Sequence, residues 1–255
     1  MSVFSAEVLK MTKSKVPLVC ALAFCLGPIF SLLLMVIAQN PEMSGNLAAI
    51  SGKVGTAGLR ADWATHLGLI SQTMAVGGAL VFGFLTAWVF GREHVDKTAK
   101  DFLALPVRRS SVVLAKLLAS IVATVCISLI VGLVAIGGGL LLGLDGGSPS
   151  VFATWSLQYL SVLGLTVLLV PAVAFAASAG RGYLPALGLV IVATILAQIL
   201  GSLGVGKFFP WAIPALSIGM AGNQIPDVGS YMIMTLTALC GVGATLLWWE
   251  KADHK

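Results

Sequence analysis

One string in the 255-residue chain has the letters of a phosphate-binding loop: Gly201-Ser202-Leu203-Gly204-Val205-Gly206-Lys207 fits G-x-x-x-x-G-K. Such a loop cradles phosphates with backbone N–H groups and needs a Ser or Thr after the lysine to hold magnesium. Phe208 stands there, and an apolar run rather than a strand precedes the string, so no nucleotide site is expected. The three histidines, His66, His94 and His254, lie far apart, in or beside connecting segments, and neither H-E-x-x-H nor G-x-S-x-G occurs. Cys20, Cys25, Cys126 and Cys240 all fall inside apolar runs, where a free thiol behaves as a small hydrophobe. No catalytic residue, cofactor site or metal site is therefore expected in this chain. Gln72, Gln158 and Gln198 interrupt the apolar runs, and such side chains are expected to bond across helices rather than bind a substrate.

The remaining polar chemistry is concentrated in one stretch, Gly91 to Ser110. Glu93 and Lys97, then Asp96 and Lys100, are acid-to-base pairs four residues apart, a spacing that supports a helix. Val95, Ala99 and Phe102 share one apolar face with Leu103 beside it. Pro106 must end the helix, and Arg108 and Arg109 return the chain to lipid headgroups. A helix from Glu93 to Leu105 is predicted. From the residues alone it is either an interfacial connector between two spans or a rigid surface on which another protein pushes.

Six long apolar runs must position that stretch: 17–39, 67–90, 112–142, 154–179, 183–203 and 229–249. Each has about the 20 residues needed to cross a bilayer, and in hydrocarbon only a helix satisfies its own backbone. The chain is 58% hydrophobic and 10% charged, against roughly 25% charged in soluble domains. Its mean hydropathy is +1.01. These values exclude a cytosolic enzyme, a disordered chain and a disulfide scaffold, and leave an all-α integral membrane protein built as one transmembrane domain, 1–255. The first run is too long for the apolar core of a signal peptide and lacks an A-x-A-like site, so no cleavage is expected. The third run is long enough to tilt, to extend beyond the bilayer, or to loosen at Gly137-Gly138-Gly139.

Residues 1–16 place Phe4, Val8 and Met11 on one face and Glu7, Lys10 and Ser14 on others, which predicts an amphipathic helix at the membrane surface. Residues 204–228 hold an apolar piece with Pro210 and Pro214 that is too short to span, so a broken, re-entrant outer segment is expected. With the N-terminus inside, twelve of the fifteen Lys and Arg residues fall on inner segments and only Lys53, Arg60 and Lys207 on outer ones. That asymmetry puts both termini in the cytoplasm. It also accounts for the net charge of +5 without nucleic acid. Lys116 sits near an inner end, where it is expected to snorkel to the surface. The span interiors are otherwise read as free of ionisable groups, unlike those of most ion-coupled transporters. Uphill transport would then draw its energy from another polypeptide.

The run Arg92-Glu93…Thr98…Leu103-x-Leu105-Pro106-Val107-x-Arg109…Lys116 resembles the signature of type 2 ABC-transporter permeases. The six spans, the amphipathic first helix and the broken outer hairpin fit as well. The resemblance covers nearly the whole chain, its specific part about 25 residues. Many members carry Gly before the Thr; Asp96-Lys97-Thr98 is more similar to the bacitracin and lantibiotic-immunity subgroup, which adds antibiotic resistance or immunity to the expectations. The resemblance implies a bacterial inner-membrane exporter subunit moving a hydrophobic or amphipathic compound such as a peptide antibiotic or lipid. It implies a homodimer or related heterodimer with two separate ABC ATPase subunits, which carry the ATP and Mg. It makes the segment 91–111 a coupling loop whose helix seats in the ATPase through Glu93, Asp96, Lys97, Thr98, Asp101, Phe102, Leu105, Pro106 and Arg109. The alternatives are an ATP-independent channel or secondary transporter, and a membrane scaffold without transport activity.

Overall fold

The computed structural model describes residues 3–40, 60–96, 108–220 and 224–251. Among them are nine α-helices: α1 Val3–Lys13, α2 Val16–Gln39, α3 Trp63–Val95, α4 Arg109–Leu141, α5 Pro149–Val167, α6 Val170–Ala179, α7 Tyr183–Ser202, α8 Ile213–Leu216 and α9 Val228–Lys251. Two 3-10 turns, Gly206–Phe208 and Pro210–Ala212, lead into α8. Six segments are long and apolar enough to cross a membrane: α2, α3, α4, α5 with α6, α7 and α9.

The chain therefore runs back and forth six times, and α1 and the end of α9 lie at the same end of the bundle, beside the α3–α4 connection. That end is called here the loop end. Helix starts are set by local chemistry. Asp62 accepts the Thr65 N–H at 2.8 Å to cap α3, and Ser148 accepts that of Val151 at 3.3 Å to cap α5 ahead of Pro149, satisfying donors that a helix N-terminus leaves open.

The axis of the bundle is α3, surrounded by α2, α4, α5, α6 and α7. Its most apolar stretch is 67% buried within the chain, against 28% for α2, α7 and α9, so those three present most of their surface outward. Two helix contacts are so close that only glycine fits. A Cβ on Gly91 of α3 would strike the backbone of Gly182 and Tyr183 at the start of α7, and one on Gly241 of α9 would lie 2.7 Å from the Pro171 and Ala172 backbone of α6.

Several expectations need correction. The fourth apolar run is not one helix: it turns at Leu168 and Leu169 between α5 and α6. Pro171 supplies the reason, because it has no N–H and its ring clashes with the carbonyl four residues back. The second span does not stop at Phe90 but continues as helix to Val95, so Arg92, Glu93 and His94 belong to α3 rather than to a separate loop helix. The third span starts at Arg109 and passes through Gly137-Gly138-Gly139 without a break; Gly138 admits Leu32 and Gly139 admits Trp63 rather than loosening the helix. The described part of 204–228 is a set of short broken turns whose Ile213 and Leu216 are buried. Residues 97–107, which hold most of the predicted loop helix, lie outside the described residues.

Candidate functional site

The polar chemistry of the bundle gathers at the loop end, around a lysine. Lys116 is on α4 two turns from its start and is wholly buried; it does not snorkel. Its ammonium donates to the Val89 carbonyl at 2.8 Å and to Glu93 Oε1 at 2.5 Å, both on α3. It also reaches Glu7 Oε2 of α1 at 3.5 Å. Glu7 is itself buried and pairs with Lys10 at 2.6 Å and Arg92 at 3.6 Å. Lys10 and Arg92 complete the ring of charge at 3.7 and 3.5 Å from Glu93, and the Arg92 guanidinium stacks 4.8 Å over Trp88. Two carboxylates and three cations thus join α1, α3 and α4. A charge this deep is tolerated only when paired and hydrogen-bonded, which Lys116 achieves with groups from two other helices.

The other root of the connection is tied to the end of the chain. Arg109, at the start of α4, donates to the carbonyls of Trp249 at 3.2 Å and Glu250 at 3.4 Å in the last turn of α9, where a helix leaves carbonyls unpaired and favours a cation. The Trp249 indole donates to Ser178 of α6 at 3.0 Å, and its ring stands nearly perpendicular to that of His94. Both helices that enter and leave the α3–α4 connection are therefore braced, one by the first helix and one by the last.

Of the residues predicted to contact a partner, Asp96 caps α3 and is exposed, and Arg109 is at the α4 root. Lys97, Thr98, Asp101, Phe102, Leu105 and Pro106 lie outside the described residues. Glu93 lies within the bundle. Its carboxylate faces Lys116 inside the bundle and is 3% exposed, because α3 runs on past Phe90 and turns this position inward. It supports the root of the loop from beneath.

Sequence reasoning passed over Glu7 and undervalued Lys116. The available signal was a lone cation deep in an apolar helix, which demands an acidic partner somewhere in the chain. His66, read as lying in or beside a loop, is also fully buried. Its Nε2 donates to the Ala135 carbonyl at 3.0 Å, which leaves Nδ1 to accept the Ser31 hydroxyl at 2.8 Å. Cross-helix bonds are thus made by His66, Ser31 and Tyr159, the last donating to Ser128 O at 2.8 Å; Gln72 and Gln198 face away from the bundle.

Two further features bear on function. The G-x-x-x-x-G-K string is the C-terminal end of α7 and the turn after it. Carbonyls gather at a helix C-terminus, the wrong polarity for phosphate. Lys207 there pairs with Asp227 at 3.6 Å, and the Asp227 carboxyl is held below the usual range by the backbone N–H and hydroxyl of Ser230, with help from Lys207. An apolar groove of about 750 Å³ opens between α7 and α9. Ala172, Phe175 and Ala176 of α6 and Trp211 also line it. The Thr237 hydroxyl in its wall is turned to its own helix, donating to Ile233 O at 2.8 Å, so the groove offers hydrocarbon contact.

Six helical segments long and apolar enough to cross a membrane, with polar groups used for bracing, define a multi-pass helical membrane protein. Residues 3–197 match the family model described as ABC-2 family transporter protein, and the chain belongs to that family. It is a permease-type membrane subunit of a transporter. The chain is also similar to the bacitracin transport permease protein BCRB of Bacillus licheniformis, 24% identical over 177 residues, which cover 69% of this chain and 85% of that protein. No solved structure matches the chain. The matched region contains α1 through most of α7, and with them the whole charge ring.

Proposed function

We propose that the chain is the membrane-spanning subunit of an ATP-driven exporter in a bacterial inner membrane, with both termini and the 91–111 segment in the cytoplasm. Two copies, or this chain and a related one, form the membrane part. Two separate ABC ATPase subunits bind ATP and Mg, hydrolyse the nucleotide and seat the 91–111 segments. ATP-driven closure of the ATPases displaces those segments, and α3 and α4 carry the motion into the bundle.

The observation that supports this reading is the bracing of both roots of the connection, through Arg92 and Glu93 on the α3 side and Arg109 on the α4 side. A connector that only joined two spans would need no such anchorage. The cargo is a hydrophobic or amphipathic compound. The similarity to a bacitracin transport permease suggests a peptide antibiotic, and the apolar groove beside α7 and α9 suits such a molecule's hydrocarbon parts.

The test is co-purification of the ATPase and its stimulation by bacitracin in membranes. Phe102 is the largest apolar residue of the loop, and truncating an interface anchor typically costs about 2 kcal/mol or more, roughly thirtyfold in affinity. Phe102→Ala and Thr98→Arg are each expected to weaken ATPase association or abolish stimulation while the chain still inserts. Normal assembly and stimulation in both variants would return the segment to a plain connector, whose surface changes shift energies by no more than about 0.5 kcal/mol.

A further inference from the structure

The charge ring ties α1 to the very residues from which the α3–α4 connection springs. Met11 is the apolar residue that α1 buries fully, with Val3 and Phe4 packed partly against the core, and an apolar contact alone tolerates sliding along a neighbouring helix. The ionic contacts do not. Glu7 is held at once by Arg92 of α3 and Lys116 of α4, so a shift of α1 along either helix separates buried opposite charges. Replacing a buried ion pair with well-packed apolar residues is often neutral or stabilising. Retaining charges here therefore serves to hold one arrangement rather than to add stability.

We propose that Lys116 is a positioning residue that makes α1 and the root of the α3–α4 connection a single rigid unit, so that α1 travels with the connection whenever a partner displaces it. The first helix then acts as part of the transmission. The rigid unit stands on the geometry; its movement during transport rests on the ATPase coupling proposed above.

The experiment separates the two. In a chain with Cys20, Cys25, Cys126 and Cys240 replaced, spin labels are placed at Thr12 and Val95, both exposed, and the distance between them is measured in lipid nanodiscs with no ATPase present. The parent is expected to show one narrow distance. Glu7→Gln keeps the Lys116 contacts with Val89 and Glu93 but removes the α1 carboxylate, leaving only the long, half-exposed Lys10–Glu93 pair between α1 and its neighbours, and is expected to lose that single narrow distance. Met11→Ala, which trims the apolar contact and leaves the charges, is expected to keep it. Arg92→Gln is expected to keep it too, since Lys116 remains. A narrow distance in Glu7→Gln, or a broad one in Met11→Ala or Arg92→Gln, overturns the assignment; the last two variants decide the matter if Glu7→Gln does not fold. With the ATPase bound and trapped by ATP and vanadate, labels at Thr12 and Ser202 are expected to change separation in the parent and not in Glu7→Gln, with hydrolysis persisting in both. Unchanged separation in the parent overturns the transmission role. Failure of any ATPase to bind the parent sinks the coupling reading and leaves the nanodisc result standing.

Discussion

Lys116 and His66 do related work at opposite ends of α3 and α4. Lys116 gathers α1, α3 and α4 at the loop end through charge, and His66 gathers α2, α3 and α4 at the other end through two neutral hydrogen bonds. The Ala135 carbonyl can only accept, so the proton of the neutral imidazole is on Nε2 and the Ser31 hydroxyl donates to Nδ1. His66→Leu has similar bulk but leaves the Ser31 hydroxyl facing a buried apolar surface. An unsatisfied buried polar group costs about 1–3 kcal/mol. Thermal unfolding in detergent is expected to show a lower Tm for His66→Leu, with the effect largely absent once Ser31→Ala is added. An unchanged Tm for the single variant would mean that the three helices hold together without this node.

At the scale of the helices, the break between α5 and α6 and the close contact of α6 with α9 belong together. Pro171 turns the chain, and Gly241 lets α9 lie directly on the Pro171 and Ala172 backbone. A methyl group at Gly241 meets backbone that cannot rotate away, and overpacking of this kind costs about 1–3 kcal/mol. Gly243, two residues further along the same helix, faces open space. There an alanine improves helix propensity by about 1 kcal/mol. Gly241→Ala is expected to lower the Tm of the purified chain and Gly243→Ala to leave it unchanged or raise it. Equal effects would show that α6 and α9 are not held at the observed distance.

For the whole molecule, six crossings place α1, the α3–α4 connection and the end of α9 on one side, and the α4–α5 and α7–α9 connections on the other. Among the described residues the first side carries Lys10, Lys13, Lys15, Arg92, Arg108, Arg109, Lys116, Arg181 and Lys251, and the second Arg60 and Lys207. Excess Lys and Arg mark the cytoplasmic side. In a cysteine-free chain, single cysteines at Ser148 and Lys207 are expected to react with an impermeant thiol reagent applied to intact cells. Those at Lys13 and Lys251 are expected to react only after the membrane is permeabilised. The reverse pattern would invert the topology and remove the 91–111 segment from reach of any ATPase.

Composition and run length alone determined the six apolar crossings and the helical class, because hydrocarbon leaves the backbone no other solution. They did so to within a few residues at most helix ends, but run length gave no sign of the break in the fourth run, which Pro171 causes. The family signature around Asp96, Pro106 and Arg109 was likewise legible, since it is a matter of order along the chain. The tertiary structure alone decided that Lys116 turns inward, that Glu93 faces it, and that Glu7, more than a hundred residues away in sequence, completes the pair. Spacing along one helix says which residues share a face. It does not say which helix that face meets, and a buried charge is explained only by the neighbour that neutralises it.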